Sequence, residues 1–128
     1  WVLLAWPAEK LKQEGPVLFA CAPVQYDPMP VLRNLDTPQL WILGGEDADA
    51  PSAETIKRLR GLQQAGRPIT LAVYPHAEHG LYEFETRPDG TRVDTRNPDG
   101  YFTMMRDFIL SGTVQDKYGD AVLHRTKD

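Results

Sequence analysis

The segment QLWILGGEDADAPSAETIKRLRGLQQAGRPITLAVYPHAEHGL, Gln39 to Leu81, holds two short apolar runs, each ending in a polar loop, with a helical pattern between them. QLWILGG, Gln39 to Gly45, is a continuous apolar run stopped by two glycines, the pattern of a parallel strand covered on both faces. From Ser52 to about Ala65, the residues Ala53, Ile56, Leu59 and Leu62 recur every third position, with Lys57, Arg58 and Arg60 elsewhere, which predicts an amphipathic helix. Pro51 or Ser52 can open it and Gly66 can close it, while Gly61 in its interior costs ~1 kcal/mol relative to alanine. PITLAVY, Pro68 to Tyr74, reads as a second strand. Strand, helix and strand in this order make a right-handed crossover unit of a parallel sheet, so the fold class is α/β.

In such a sheet the loops at the carboxyl ends of neighbouring strands lie side by side. GGEDADAP and YPHAEHGL should therefore share one rim, and each offers a chemically useful group: Asp47 in the first, His79 in the second. An acid held against an imidazole fixes its tautomer and stabilises the ring once it takes a proton, which is what a nucleophile needs from a general base. The plainer reading of Asp47 is a solvated carboxylate beside a helix start. Asp49 is the competing acid, better suited to capping or exposure, and His76 is the competing base, but no glycine follows it. His124 falls in a polar stretch near the end.

Upstream, residues 1–37 read as a connector in which YDPMP imposes extended or turn backbone around Pro28 and Pro30. After His79, LYEFETRPDGTRVDTR alternates, turns at RPDG and returns through Val93, as in a surface hairpin of local role. NPDGYFTMMRDFILSG predicts a closing helix with Asn97 as cap, Pro98 in the first turn and Gly112 as stop. Its stripe Phe102, Met105, Phe108 and Ile109, like Ile56, Leu59 and Leu62, is expected to be core, and Trp41 to pack sheet against helix. The expected organisation is one partial domain: the connector to residue 37, the strand-helix-strand-helix unit over 38–112, and over 113–128 a polar tail with no strong period and a frayed end.

Fourteen basic against 18 acidic residues give a net charge of -4 with no basic cluster, which argues against nucleic acid or an anionic membrane as partner. The longest apolar run, Val17 to Val24, is far short of the ~20 residues a spanning helix needs, and no charged leader precedes it. With Cys21 as the single cysteine, the chain fits a reducing, cytoplasmic compartment. No cofactor or metal is expected: His76, Glu78 and His79 lack a third zinc ligand at suitable spacing, and Gly44-Gly45 is followed by acids that would repel a phosphate.

The stretch from Leu40 to Leu81 resembles the last strand-helix-strand unit of α/β-hydrolases of the prolyl-oligopeptidase and dienelactone-hydrolase kind. In these, G-x-x-D-x-x-x-P carries the triad acid and H-G after the last strand carries the base, and Asp47 and His79 occupy those positions. YDPMPVLRNLDTPQLW and GYFTMMRDFI extend the likeness over residues about 26 to 111. The resemblance implies the C-terminal part of a serine hydrolase, of esterase or peptidase type, acting on a small ester or a peptide.

One departure matters: the G-x-S-x-G nucleophile elbow that precedes the acid in this family is absent. Ser52 follows the acid loop directly and Ser111 ends the last helix, so neither fits that place. Cys21 precedes Asp47 and His79 in the required order, but its alanine and proline neighbours suit a small buried hydrophobe better than an elbow. The expectation is a nucleophile on further upstream sequence, consistent with a start at Trp1 inside WVLLAW, and an inactive chain in isolation. The alternatives are a non-catalytic module that self-associates through an exposed sheet edge, and a minimal thiol hydrolase using Cys21.

Overall fold

The computed structural model describes residues 9, 10, 12, 13, 26–50 and 52–126, so Cys21, Pro51 and the run from Val17 to Val24 lie outside the described residues. The chain divides into two compact units, Trp1–Val31 and Leu32–Asp128. In the first, Glu9 and Lys12 are joined by an exposed ion pair at 2.8 Å. The described elements run in the order α1 (Met29–Arg33), β1 (Gln39–Gly44), α2 (Ser52–Gln64), β2 (Ile69–Tyr74), β3 (Phe84–Thr86), β4 (Arg92–Asp94), α3 (Tyr101–Ser111) and β5 (Val122–Arg125). Where extended backbone was expected around Pro30, the chain forms the short helix α1. Proline is tolerated in a first turn, where an N–H has no helical acceptor, and the Met29 N–H is taken by the Asp27 side chain at 3.0 Å.

β1 and β2 pair in parallel from Gln39 opposite Ile69 to Gly44 opposite Tyr74, and α2 lies between them in sequence. β5 adds antiparallel to the other side of β2, with Thr70 opposite Arg125 and Val73 opposite Val122, so β2 is central in the order β1-β2-β5. Centrality explains its burial: Ile69, Leu71, Ala72 and Tyr74 are all buried, whereas β1, on the edge, is half-buried apart from Gly44. Alternation along β2 sends Ala72 and Tyr74 to the face where Ala77, Met104 and Tyr118 close a core, and Ile69 and Leu71 to the face on which α2 packs. α2 buries Ser52, Leu59, Leu62 and Gln63, leaves Ala53 exposed, and ends in a Schellman turn with Gly66 at φ 83° and Arg67 N–H on Leu62 O at 3.0 Å. The Gln63 amide, itself buried, donates to Ile69 O and His124 O at 2.8 and 2.9 Å, fastening the helix to two strands.

Three expectations for the last third are corrected. The stretch expected as a polar tail without a strong period contains β5, which places His124 opposite Leu71, and Tyr118, which is buried with its hydroxyl on Asp107 Oδ2 at 2.8 Å. α3 buries Met104 rather than the stripe through Phe102 and Ile109, whose residues are 63% and 80% exposed. The apolar residues cover a broad arc running from Met104 through Phe108, Tyr101 and Met105 to Ile109 and Phe102, so periodicity does not fix which part of it is buried, and packing against Ala72, Tyr74 and Ala77 does. Asn97 does not cap α3: Gly100 stands at the cap, with φ 81°, and Pro98 precedes the helix.

Candidate active site

The rim at the carboxyl ends of β1 and β2 is built by backbone approaching backbone. Gly45 N–H donates to Tyr74 O at 2.8 Å and Glu46 N–H to Ala77 O at 3.0 Å, which ties the first loop to the second. The two glycines make this possible: a Cβ on Gly44 would stand 2.5 Å from the carbonyl oxygens of Ala77 and Glu78, and one on Gly45 would stand 2.7 Å from that of Pro75. Ser52, at the start of α2, donates its hydroxyl to Gly44 O at 2.9 Å and so anchors the loop's far end. Both loops are thereby held in register just beyond the last paired residues.

Asp47 and His79 meet on this rim, with His79 Nδ1 2.9 Å from Asp47 Oδ2. The other oxygen, Oδ1, accepts the backbone N–H groups of Asp49 and Ala50 at 3.0 and 2.8 Å. Burial pushes the Asp47 carboxyl up, but the bond from Ala50, the bond and charge of His79, and the bond from Asp49 outweigh it and hold the pKa below 3.8. The carboxylate is thus an acceptor, and Nδ1 must carry the hydrogen. The same hydrogen bond, with the negative charge of Asp47, raises the His79 pKa above 6.5. The Asp47 side chain is 9% exposed and that of His79 58%, so a shielded carboxylate orients a solvent-accessible imidazole.

The competing groups lie elsewhere. Asp49 meets Asp47 through its backbone, and His76 is 75% exposed with Nδ1 3.5 Å from Glu46 Oε1. Ser111 donates to Asp107 O at 2.8 Å at the end of α3. Among the described residues no group of three or more His, Cys, Asp or Glu side chains could hold a metal ion, and no helix is long and apolar enough to cross a membrane.

Two residues escaped sequence reasoning. β3 and β4 pair antiparallel, and from β4 the Arg92 guanidinium lies 4.1 Å over the Phe84 ring and donates to Glu46 O at 2.7 Å, on the peptide unit that leads into Asp47. The role expected to be local to the hairpin thus extends to the acid loop; the sequence shows only an arginine on the returning strand and names no partner for it. The second residue is Asn97, whose side-chain amide donates to Leu81 O at 2.7 Å, two residues after His79. An asparagine before a proline signals a turn or cap, and nothing local names a partner sixteen residues away.

Comparison with known proteins points to one family. Acylamino-acid-releasing enzyme from Rattus norvegicus is 32% identical over 68 residues, 53% of this chain and 9% of the relative, and its Homo sapiens counterpart matches with the same identity and coverage. The match therefore spans under a tenth of the length of these curated relatives. No solved structure gives a significant match. The model of the prolyl oligopeptidase family matches residues 18–95, more than half of the chain. With its mixed sheet and flanking helices, the chain belongs to the prolyl oligopeptidase family of serine peptidases, within the α/β-hydrolase superfamily.

Proposed function

We propose that this chain is the C-terminal portion of a serine hydrolase, and that Asp47 and His79 serve as acid and base for a nucleophile carried on sequence outside these 128 residues. The observation that carries the reading is the 2.9 Å bond from His79 Nδ1 to an Asp47 carboxylate whose other oxygen is held by two backbone N–H groups. In this reading His79 Nε2 takes the proton of a serine hydroxyl as its oxygen attacks the substrate carbonyl carbon. Asp47 stabilises the imidazolium that results, and the ring then returns the proton to the departing amine or alcohol. The matched relatives are named for releasing acylamino acids, so a peptide with an acylated first residue is the first substrate class to try and a simple ester the second.

Without a nucleophile an acid-base pair has nothing to activate, and losing the nucleophile alone costs about as much rate as losing the whole triad, ~10^6-fold in a measured serine protease. The purified 128-residue chain is expected neither to hydrolyse activated esters above background nor to take up a fluorophosphonate, whereas a protein extended upstream through a G-x-S-x-G elbow does both. Ester turnover by the short chain that disappears in Cys21→Ala but survives in Ser52→Ala and Ser111→Ala would overturn this reading in favour of the thiol hydrolase.

The second reading, a self-associating module, draws support from a different observation. Among the described residues β1 is paired on one side only, and α3 exposes Phe102, Ile109 and Leu110 together.

A further inference from the structure

Leu81 has the left-handed backbone conformation, φ 54°, and no other non-glycine residue among those described shares it. A leucine there is strained by its Cβ, and such strain persists only where neighbouring structure imposes it. Leu81 N–H donates to Glu78 O at 2.9 Å, which makes His79 and Gly80 the corner of a tight turn. The Leu81 side chain packs against the core of Ala72, Tyr74, Ala77, Met104 and Tyr118, while its carbonyl accepts the Asn97 amide at 2.7 Å. Asn97 is in turn followed by the buried Pro98, which restricts Asn97 to extended backbone and limits where its side chain can point.

Asp47 is fixed independently, by two N–H groups of its own loop. The position of His79 is therefore the variable on which the pair depends, and it is set by a turn that ends in a strained residue. We propose that Asn97 is a positioning residue for His79: its side-chain amide holds the Leu81 carbonyl, and with it the left-handed turn that directs the ring at Asp47. Released from that bond, Leu81 relaxes to negative φ, the Gly80–Leu81 peptide rotates, and the ring leaves the carboxylate. The inference deepens the catalytic reading of the same site, yet rests on the geometry of the pair and not on turnover.

The test is the titration of His79 by nitrogen-detected NMR on the 128-residue chain, which needs no substrate. The variants are Asn97→Ala; Asn97→Leu, near in shape and without a donor; Leu81→Gly, which adopts the left-handed conformation without strain; and both Asn97 changes combined with Leu81→Gly. In the parent and in L81G the midpoint lies above 6.5, as the bond to Asp47 requires. In N97A and N97L it moves down towards the ordinary imidazole value as the bond to Asp47 is lost, and L81G restores it in the double variants. A merely structural asparagine would lower thermal stability without moving the titration. An unmoved midpoint in N97L, or failure of L81G to restore it, overturns the proposal. Since N97L keeps the number and branching of the side-chain heavy atoms, the comparison does not depend on N97A folding. Absence of catalysis in the extended protein leaves this result standing, so the two claims fail separately.

Discussion

The two carboxylate oxygens of Asp47 have different partners, and that division sets the pH behaviour of the pair. Folding raises the His79 pKa, so the stability contributed through the ring is complete below pH 6.5 and is lost as pH climbs through the raised value. Folding lowers the Asp47 pKa, so its contribution is complete above pH 3.8 and is lost as pH falls through the lowered value. The pair therefore stabilises the chain most between pH 3.8 and 6.5. Asp47→Asn removes the charge and keeps the shape; its stability deficit, measured by denaturant unfolding, should be largest in that window and shrink above it, with the His79 midpoint dropping towards 6.5. At this scale much was legible: a loop acid and a histidine-glycine at the ends of adjacent strands meet as the rim geometry requires. Asn97 and the strained Leu81 were not, because φ at Leu81 is decided by a bond to a residue sixteen positions on.

At the level of elements, the site depends on close approach of two loops, and the glycines of β1 and α2 separate that requirement from ordinary helix energetics. Gly44→Ala drives a methyl group into two carbonyl oxygens at 2.5 Å, a collision with backbone that no side-chain rotation relieves. The expected outcome is a destabilised chain in which the loops part and the His79 midpoint drops as the bond to Asp47 is lost. Gly61→Ala meets nothing within 4 Å in the interior of α2 and should stabilise by about 1 kcal/mol in the same unfolding measurement. β2, α2 and the ends of β1 could be read from sequence because each has a period or a stop signal of its own. β5 could not: it is four residues long, only half-covered, and is selected by the free side of β2 and by the Gln63 amide on His124 O. The face of α3 was equally hidden, since Met104 and Met105 differ in burial only through what the helix packs upon.

For the molecule as a whole, a net charge of -4 opposes association only weakly, while the open edge of β1 and the 63%, 80% and 78% exposure of Phe102, Ile109 and Leu110 favour it. We expect light scattering to give a mass that rises with concentration and falls back in Ile109→Asp/Leu110→Asp; a monomer at high concentration would count against the self-associating reading. The central claim is that Asp47 and His79 form the acid-base half of a hydrolase triad. Its most direct test is kcat/KM on an N-acylated peptide for the protein extended upstream through a serine elbow, compared with His79→Ala and His76→Ala. The account predicts a loss of about 10^6-fold in kcat for His79→Ala, as for removal of a triad histidine, with His76→Ala at the parent's level. Turnover at the parent's rate in His79→Ala, or a loss confined to His76→Ala, would contradict it.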